Sequence, residues 1–159
     1  CIAEYDAVEG ILLADAGGEG LVAGTTAAVC ALSPGAGGRE AAVFNCGDSR
    51  VVLAAPPREG EGAVRFATRD HSPSCETEQA RIQEARASGL DYSVPQCSLS
   101  RWWVKVGDYR YALCRSLEGP LATECGIVSD ADYSVVRLSP EREGEVVVLG
   151  SDGIFEVMD

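Results

Sequence analysis

The sequence has few basic residues for its length, with 13 Lys and Arg against 25 Asp and Glu and a formal net charge of −12. Nucleic acids and anionic membrane surfaces carry phosphate charges that repel an acidic protein. No apolar run approaches the roughly 20 residues that a membrane-spanning helix needs. We therefore expect no nucleic acid and no membrane among its partners.

Because the sequence has no initiating methionine and no signal peptide, we expect an excised part of a longer protein.

Several motifs with well-defined chemistry are also absent. No two cysteines have C-x2-C spacing, which argues against a zinc site, and neither glycine-rich nucleotide-binding motif is present. His71 is the only histidine, so any Ser-His-Asp or Cys-His mechanism must use it, although its D-H-S-P setting favours a structural turn. Cys75 and Arg81 have the C-x5-R spacing of cysteine-dependent phosphatases. The residues between them are acidic and helical in pattern, so we attribute the match to chance.

The cysteines that are present number seven, and they are scattered among apolar neighbours. This distribution is typical of small core residues in a reducing compartment, which predicts a cytoplasmic or nuclear protein. A length of 159 residues with 46% hydrophobic composition predicts one domain with a real core.

Hydrophobic periodicity predicts one helix over residues 1–17 and another from Ser72 to about Ser88, where Gly89 can cap it. Strands are predicted at seven places: 25–32, 41–45, 51–55, 64–68, 101–106, 133–138 and 145–149. The second and third flank a tight segment and form a β-hairpin pattern. RWWVKV at 101–106 is typical of an edge strand, and EVVVL at 145–149 of a strand buried on both faces. This order predicts an α+β layered domain with largely antiparallel sheets.

Acidic residues follow two of these strands and are the sharpest chemical feature. Asp48 follows one strand in NCGDSR, and Asp152 follows another in VVVLGSDGIFE. A carboxylate there is costly unless it is paired, hydrogen-bonded or bound to a cation. Glu156 would share the side of Asp152 if a helix begins at Gly153, and such oxygens suit Mg²⁺ or Mn²⁺. The alternative is a turn residue at Asp48 and a helix N-cap at Asp152.

Four motifs in this order resemble the metal-dependent Ser/Thr protein phosphatases of the type 2C (PPM) family. They are GTTA at 24–27, NCGDSR at 45–50, DHSP at 70–73 and SDGIFE at 151–156. The segments between them agree: EQARIQEARASG is similar to the family's E-x-x-RI helix, while RWWVKV and YALCRSL are similar to its next two segments, and Gly126-Ile127-Val128 to its G-V-[IV]. The resemblance covers nearly the whole chain.

The resemblance implies a PPM-type phosphatase fold, an antiparallel β-sandwich flanked by helices in α-β-β-α layers, here incomplete. Residues 1–159 would be the central part of a single protein phosphatase 2C-like catalytic domain. That domain would hydrolyse phosphoserine and phosphothreonine in phosphoprotein substrates with a water activated by two or three Mg²⁺ or Mn²⁺ ions. Asp152 matches a ligand of the core metal site. Asp48 and Glu156 match positions that, with Asp152, hold an additional metal. We expect a monomer.

The chain departs from the family pattern in two ways. The D-G-H-G motif with its metal-bridging Asp would precede residue 1, and the D-N motif would follow Asp159. Glu118-Gly119 stands where the family usually has Gly-Asp. The parent is therefore either an active phosphatase or a pseudophosphatase or interaction module that keeps the sandwich without catalysis. We expect this exact polypeptide to be a poor catalyst, because it lacks the ligands for two metals.

Overall fold

The computed structural model of the chain describes residues 24–35, 38–57, 63–138 and 144–157, so the helix predicted over residues 1–17 lies outside the described residues. The chain divides into two compact units. The helix unit comprises Cys1–Thr26 and His71–Asp130, and the sandwich unit comprises Ala27–Asp70 and Ala131–Asp159. No helix in the described ranges has both the length and the apolar character needed to span a bilayer.

The described residues form nine strands and three helices. In chain order they are β1 (Ala27–Gly35), β2 (Gly38–Cys46), β3 (Arg50–Ala54), β4 (Val64–Ala67), α1 (Glu76–Ala87), β5 (Gln96–Ser98), β6 (Arg101–Val106), β7 (Tyr109–Tyr111), α2 (Pro120–Glu124), β8 (Asp132–Leu138), β9 (Val146–Gly150) and α3 (Asp152–Phe155).

Two antiparallel sheets, ordered β1-β2-β8 and β4-β3-β9, make up the sandwich unit. Ala41 and Val43 of one sheet and Val51 of the other form a single buried cluster. Side chains from all four remaining strands pack against it: Ala28, Cys30, Phe66, Val136, Leu138 and Val147. Since side chains alternate along a strand, each sheet contributes one apolar face to this cluster. The predicted antiparallel sandwich is confirmed.

The β-hairpin predicted around residues 46–50 is wrong. β2 pairs with β1 and β8, whereas β3 pairs with β4 and β9, so the two strands belong to different sheets. Between them Gly47 has φ of 104°, a conformation that favours glycine. The Asn45 side-chain amide donates to the carbonyl oxygens of Gly47 and Arg69, at 3.3 and 3.1 Å. The segment is therefore a corner between sheets, which two apolar runs around a turn do not distinguish from a hairpin.

β9 is not buried on both faces, contrary to the prediction from its apolar sequence. Val147 packs against the sandwich core, but Val146 and Val148 on the opposite face are 52% and 41% exposed. Within the described part of the sandwich unit, β9 is an edge strand that pairs with β3 alone. Only the Val147 end of the core-facing side is therefore covered by the sandwich, since Leu149 on the same side is 46% exposed, and the opposite face remains accessible.

The core of the helix unit lies between α1 and the β5-β6-β7 sheet. Ile82 of α1 and Val104 and Val106 of β6 are fully buried in one cluster. Cys114, Ala122 and Ile127 complete it. RWWVKV forms β6, the middle strand of this sheet, so the prediction of an edge strand is wrong. The short β5, within residues 90–100 that lack a clear strand pattern, supplies the unexpected second neighbour.

Helix α1 begins at Glu76, four residues later than the sequence predicts, because Ser72 accepts the turn hydrogen bond from the Cys75 N–H at 2.9 Å. Its end agrees with the prediction. Gly89 has φ of 98°. Its N–H donates to the carbonyl of Arg86, and the N–H of Leu90 donates to the carbonyl of Ala85. These two bonds form a Schellman motif, which satisfies carbonyl groups in the last turn.

Glu78 on α1 is a fully buried carboxylate held by two arginines. It accepts hydrogen bonds from Arg81 Nε at 3.0 Å and from Arg115 Nε at 2.9 Å. Arg81 also donates to the carbonyl oxygens of Cys114 and Gly126. Burial by itself would raise the pKa of Glu78, but hydrogen bonds and charges of Arg115 and Arg81 lower it overall. The arginine of the chance C-x5-R match is thus part of this internal network.

Replacing this carboxylate tests how strongly the network stabilises the protein. We expect Glu78→Gln to lower the free energy of unfolding at pH 7 by about 3 kcal/mol, because it leaves two arginines without their buried counter-charge. Glu84→Gln, at an exposed position of the same helix, is the matched control. Urea unfolding monitored by circular dichroism measures both changes.

The same substitution should alter the pH dependence. A carboxyl whose pKa is lowered by folding contributes stability above its unfolded pKa of about 4.3 and loses it as the pH falls through the folded value. The difference in free energy of unfolding between wild type and Glu78→Gln should therefore become smaller as the pH falls below that range. A difference that is constant with pH, or equal effects of Glu78→Gln and Glu84→Gln, would contradict this role of Glu78.

Candidate metal site

The pairing of β3 with β9 determines where the predicted acidic residues lie. Arg50 and Gly150 are register partners in this antiparallel pair. Asp48 precedes Arg50 by two residues, and Asp152 follows Gly150 by two. Because the strands run in opposite directions, both residues leave the sheet at the same end. The two acidic residues singled out from the sequence are thus brought together by strand register.

Close packing at the end of β9 positions Asp152. A Cβ atom on Gly150 would lie 2.9 Å from Ile154 Cδ1 and 3.1 Å from Phe155 Cε2, so glycine lets α3 fold back on the strand. Asp152 is the first residue of α3, and Ser151 occupies the N-cap position. The alternative that Asp152 is an N-cap is therefore wrong. Its Oδ1 accepts a hydrogen bond from the Gly153 N–H at 2.8 Å.

Glu156 follows Asp152 by one helical turn. The backbone N–H of Glu156 donates to the carbonyl oxygen of Asp152 at 2.8 Å, and both residues are exposed. Residues four apart on a helical turn share one side, so the two carboxylates belong to the same surface. This relation is the one expected from the sequence, although the helix begins one residue earlier than assumed.

The carboxylates are close enough to perturb one another. Asp48 is half-buried, and burial is the largest cause of the raised pKa of its carboxyl group. A hydrogen bond with its own backbone N–H opposes this effect, while the negative charges of Asp152, Asp70 and Glu156 raise the pKa further. These four acidic residues therefore form a region of high negative charge at one end of the β3–β9 pair.

Sequence reasoning missed the partners that organise this region. Arg50 makes two hydrogen bonds to Asp70, with Nε and Nη2 each 2.6 Å from a carboxylate oxygen. The Arg50 guanidinium also lies 5.6 Å from the centroid of the Phe155 ring, a cation–π contact. Chiefly the hydrogen bond to Asp70, then the charges of Asp70, Asp48 and Glu156, raise the pKa of Arg50 against the effect of burial. The sequence signal that could have predicted this ion pair is the basic residue in GDSR together with the first acidic residue in DHSP.

The donor set fits a hard divalent cation in its chemistry, since carboxylate oxygens are the ligands that Mg²⁺ and Mn²⁺ favour. Mutual repulsion among Asp48, Asp152 and Glu156 is also what a bound cation relieves. However, no three His, Cys, Asp or Glu side chains within the described residues are arranged to hold an ion. The three residues thus fit as part of a ligand set, and further donors are needed.

The Glu118-Gly119 departure has a structural role in the helix unit. Glu118 is buried, and its carboxylate accepts hydrogen bonds from Ser116 Oγ at 2.8 Å and from the Tyr111 hydroxyl at 3.4 Å. Burial, then the charge and hydrogen bond of Glu118, raises the pKa of Tyr111 to about 12.

Gly24 of GTTA lies directly against the Glu118 carboxylate, where no Cβ fits. Thr25 and Leu117 exchange backbone hydrogen bonds of 3.0 and 2.9 Å alongside.

The crowding of carboxylates predicts an effect on stability without metal. Because folding raises the pKa of Asp48, this residue contributes most to folding stability below its unfolded pKa of about 3.9. That stabilisation is lost as the pH rises through the folded pKa. Asp48→Asn should therefore raise the melting temperature at pH 7 in EDTA, by roughly 2 °C. Asp108→Asn, in an exposed turn of the helix unit, controls for net charge. A fall in melting temperature for Asp48→Asn alone would contradict the electrostatic interpretation.

The contact between Gly24 and Glu118 predicts that Gly24→Ala lowers the free energy of unfolding by roughly 1–3 kcal/mol, because the added methyl group displaces a buried, hydrogen-bonded carboxylate. The cost should shrink when Gly24→Ala is combined with Glu118→Ala, as a double-mutant cycle by urea unfolding would measure. Gly153→Ala is the control, since a Cβ there meets only Ser151 Oγ at 3.6 Å. Additive effects of the two substitutions would show that this contact is not responsible.

Comparisons with known proteins agree with these features. The family model described as Protein phosphatase 2C matches residues 13–159. Protein phosphatase 1B of Mus musculus is 39% identical over 117 residues, covering 72% of this chain and 26% of the relative. Protein phosphatase 1A of Homo sapiens is 32% identical over 136 residues, covering 85% of this chain and 31% of the relative. The chain thus spans about a quarter to a third of the length of these curated relatives.

Solved structures confirm the fold class predicted from the sequence. A crystal structure of serine-threonine phosphatase 2C from Toxoplasma gondii has a TM-score of 0.76 at 22% identity, covering 98% of this chain and 50% of that chain. A C. elegans sex determining protein has a TM-score of 0.71 at 22% identity, covering 98% of this chain and 33% of that chain. With the family model matching almost the whole sequence, this chain belongs to the protein phosphatase 2C family.

Proposed function

We propose that residues 1–159 are the central part of a single protein phosphatase 2C catalytic domain. The intact domain would be a metal-dependent protein serine/threonine phosphatase that hydrolyses phosphoserine and phosphothreonine with Mg²⁺ or Mn²⁺. The observation that carries this proposal is the grouping of Asp48, Asp152 and Glu156 at one end of the β3–β9 pair. The continuous match to the family model over residues 13–159 supports the assignment to one domain.

Asp152, Asp48 and Glu156 would hold metal ions together with ligands from outside the described residues. A bound Mg²⁺ or Mn²⁺ ion supplies activation of water and neutralisation of phosphoryl charge. The chain's own contribution is to fix these carboxylates. The β3–β9 register brings Asp48 and Asp152 together, and the turn of α3 adds Glu156. Arg50, held by Asp70, places a compensating positive charge beside them.

The remaining properties are part of the same proposal. A phosphoprotein is the proposed substrate class, in line with the family. The net charge of −12 supports the prediction that nucleic acid and membrane surfaces are not partners. The described cysteines outside residues 1–23 are free thiols, which is compatible with a cytoplasmic or nuclear location. The protein is proposed to act as a monomer.

The decisive test measures phosphate release from a phosphothreonine peptide, with Mn²⁺ and with EDTA, on a form of the protein shown by mass to contain the D-G-H-G motif. We expect Mn²⁺-dependent turnover and a fall in kcat/KM of roughly 100-fold or more for Asp152→Asn. Even an outer-shell partner of a metal ligand costs 10- to 100-fold when it is lost, so a direct ligand should cost at least as much. Asp108→Asn should leave turnover unchanged.

A binding measurement on the same proteins separates the alternatives. Mn²⁺ should raise the melting temperature of the wild type, and less so that of Asp152→Asn, because a ligand stabilises only the state that binds it. If Mn²⁺ binds but no turnover is measured, the protein would be assigned as a pseudophosphatase and not as a phosphatase. Turnover that survives in Asp152→Asn would refute the assignment of this residue as a metal ligand.

A further inference from the structure

The β5-β6-β7 sheet of the helix unit has one covered face and one open face. Val104 and Val106 of β6 are 0% exposed and belong to the core. Since side chains alternate along a strand, Arg101, Trp103 and Lys105 lie on the opposite face. Arg110 of β7 is the register partner of Lys105, which places it on that face as well. We call these four residues, Arg101, Trp103, Lys105 and Arg110, the cationic face.

The arrangement of charge on the cationic face is unfavourable for the isolated protein. Lys105 and Arg110 are like charges directly opposite each other on neighbouring antiparallel strands, a destabilising pair. The Arg110 guanidinium lies 4.8 Å from the centroid of a Trp103 ring. No acidic side chain in the described residues forms an ion pair with Arg101, Lys105 or Arg110. Within the described ranges, the positive charge of this face therefore has no acidic partner.

The cationic face also contrasts with the rest of the chain. Residues 101–110 contain three basic residues and one acidic residue, Asp108, in a protein of net charge −12. Charges on a surface act over about 8 Å at physiological ionic strength, so this cluster sets the local potential despite the acidic total. A ligand that contacts only this cluster would meet a positive surface.

The turn beside the cationic face is a two-residue hairpin loop with an exposed apolar side chain. Leu99 and Ser100 connect β5 to β6 with φ values of 51° and 64°, in the left-handed region that non-glycine residues seldom adopt. The Leu99 side chain is 96% exposed at this tip. Two-residue hairpin loops commonly have positive φ at both central residues, so this backbone follows from the tight turn between Ser98 and Arg101. The exposed Leu99 side chain leaves an apolar contact surface at the tip.

We infer that the cationic face binds a short acidic segment of a partner protein, with Leu99 adding an apolar contact at one end. Three cations match a segment with two or three carboxylates, and the partly exposed Trp103, which contacts Arg110, lies between Arg101 and Lys105 on β6. A long polyanion such as nucleic acid would extend beyond the face and meet the acidic remainder of the chain. This inference concerns binding alone, so it does not depend on the proposed catalysis.

Fluorescence anisotropy with a labelled eight-residue peptide of Glu, Asp and Gly tests the inference on the intact protein. The control peptide has Gln and Asn in place of Glu and Asp. We expect the acidic peptide to bind at least tenfold more tightly than the control, with an affinity that falls as NaCl is raised. Lys105→Glu should weaken binding at least tenfold. Arg39→Glu, an exposed strand position in the sandwich unit with the same change in charge, should leave it within about twofold.

Thermal melting separates loss of binding from loss of folding. Lys105→Glu places opposite charges across β6 and β7, so its melting temperature should equal or exceed that of the wild type. Leu99→Asn should also raise the melting temperature, because Asn tolerates left-handed backbone, while weakening peptide binding. Phosphatase assays of these variants on a short neutral phosphopeptide would report separately on catalysis.

Three outcomes would overturn the inference. The first is equal binding of the acidic and neutral peptides. The second is that Arg39→Glu weakens binding as much as Lys105→Glu, which would indicate a general charge effect. The third is tighter binding of a labelled eight-nucleotide oligo-dT than of the acidic peptide, which would assign the face to nucleic acid.

Discussion

The antiparallel pairing of β3 with β9 is the constraint on which the candidate site depends. Two acidic residues separated by about a hundred positions meet because Arg50 and Gly150 are partners in this pair. A shift of register by one residue would turn every side chain of β9 to the other face and separate Asp48 from Asp152. Because Val146 and Val148 are also apolar, the core contact of Val147 does not set this register by itself. The close approach of Ile154 and Phe155 to Gly150 needs glycine at this position, so backbone packing also helps to hold the polar site in place.

This polar site is costly in the absence of a cation. Burial and neighbouring carboxylates raise the pKa of Asp48, so its ionised form is disfavoured in the folded protein. Arg50 offsets part of this cost and is itself held by Asp70 and Phe155. Functional sites commonly concentrate such unfavourable charge, because a ligand that supplies the missing counter-charge then binds strongly. The cationic face carries charge of the opposite sign, and an acidic ligand would compensate it in the same way.

The helix unit uses buried charge differently. Glu78 is neutralised within the fold by Arg81 and Arg115, and Glu118 is satisfied by Ser116 and Tyr111. Both carboxylates are fully engaged by internal partners, so they stabilise local geometry. The replacement of the family's usual Gly-Asp by Glu118-Gly119 is accommodated in this way, beside the GTTA segment that it contacts through Gly24.

The sequence alone determined the family, the positions of most strands, the glycine end of α1 and the acidic residues of the candidate site, because local periodicity and short motifs carry that information. Tertiary structure decided which strands pair. It assigned β2 and β3 to different sheets, made β6 a central strand and left one face of β9 exposed. It also joined Arg50 to Asp70 and Glu78 to Arg115. Such contacts link residues distant in sequence, and their energies depend on burial and register, which exist only after the chain has folded.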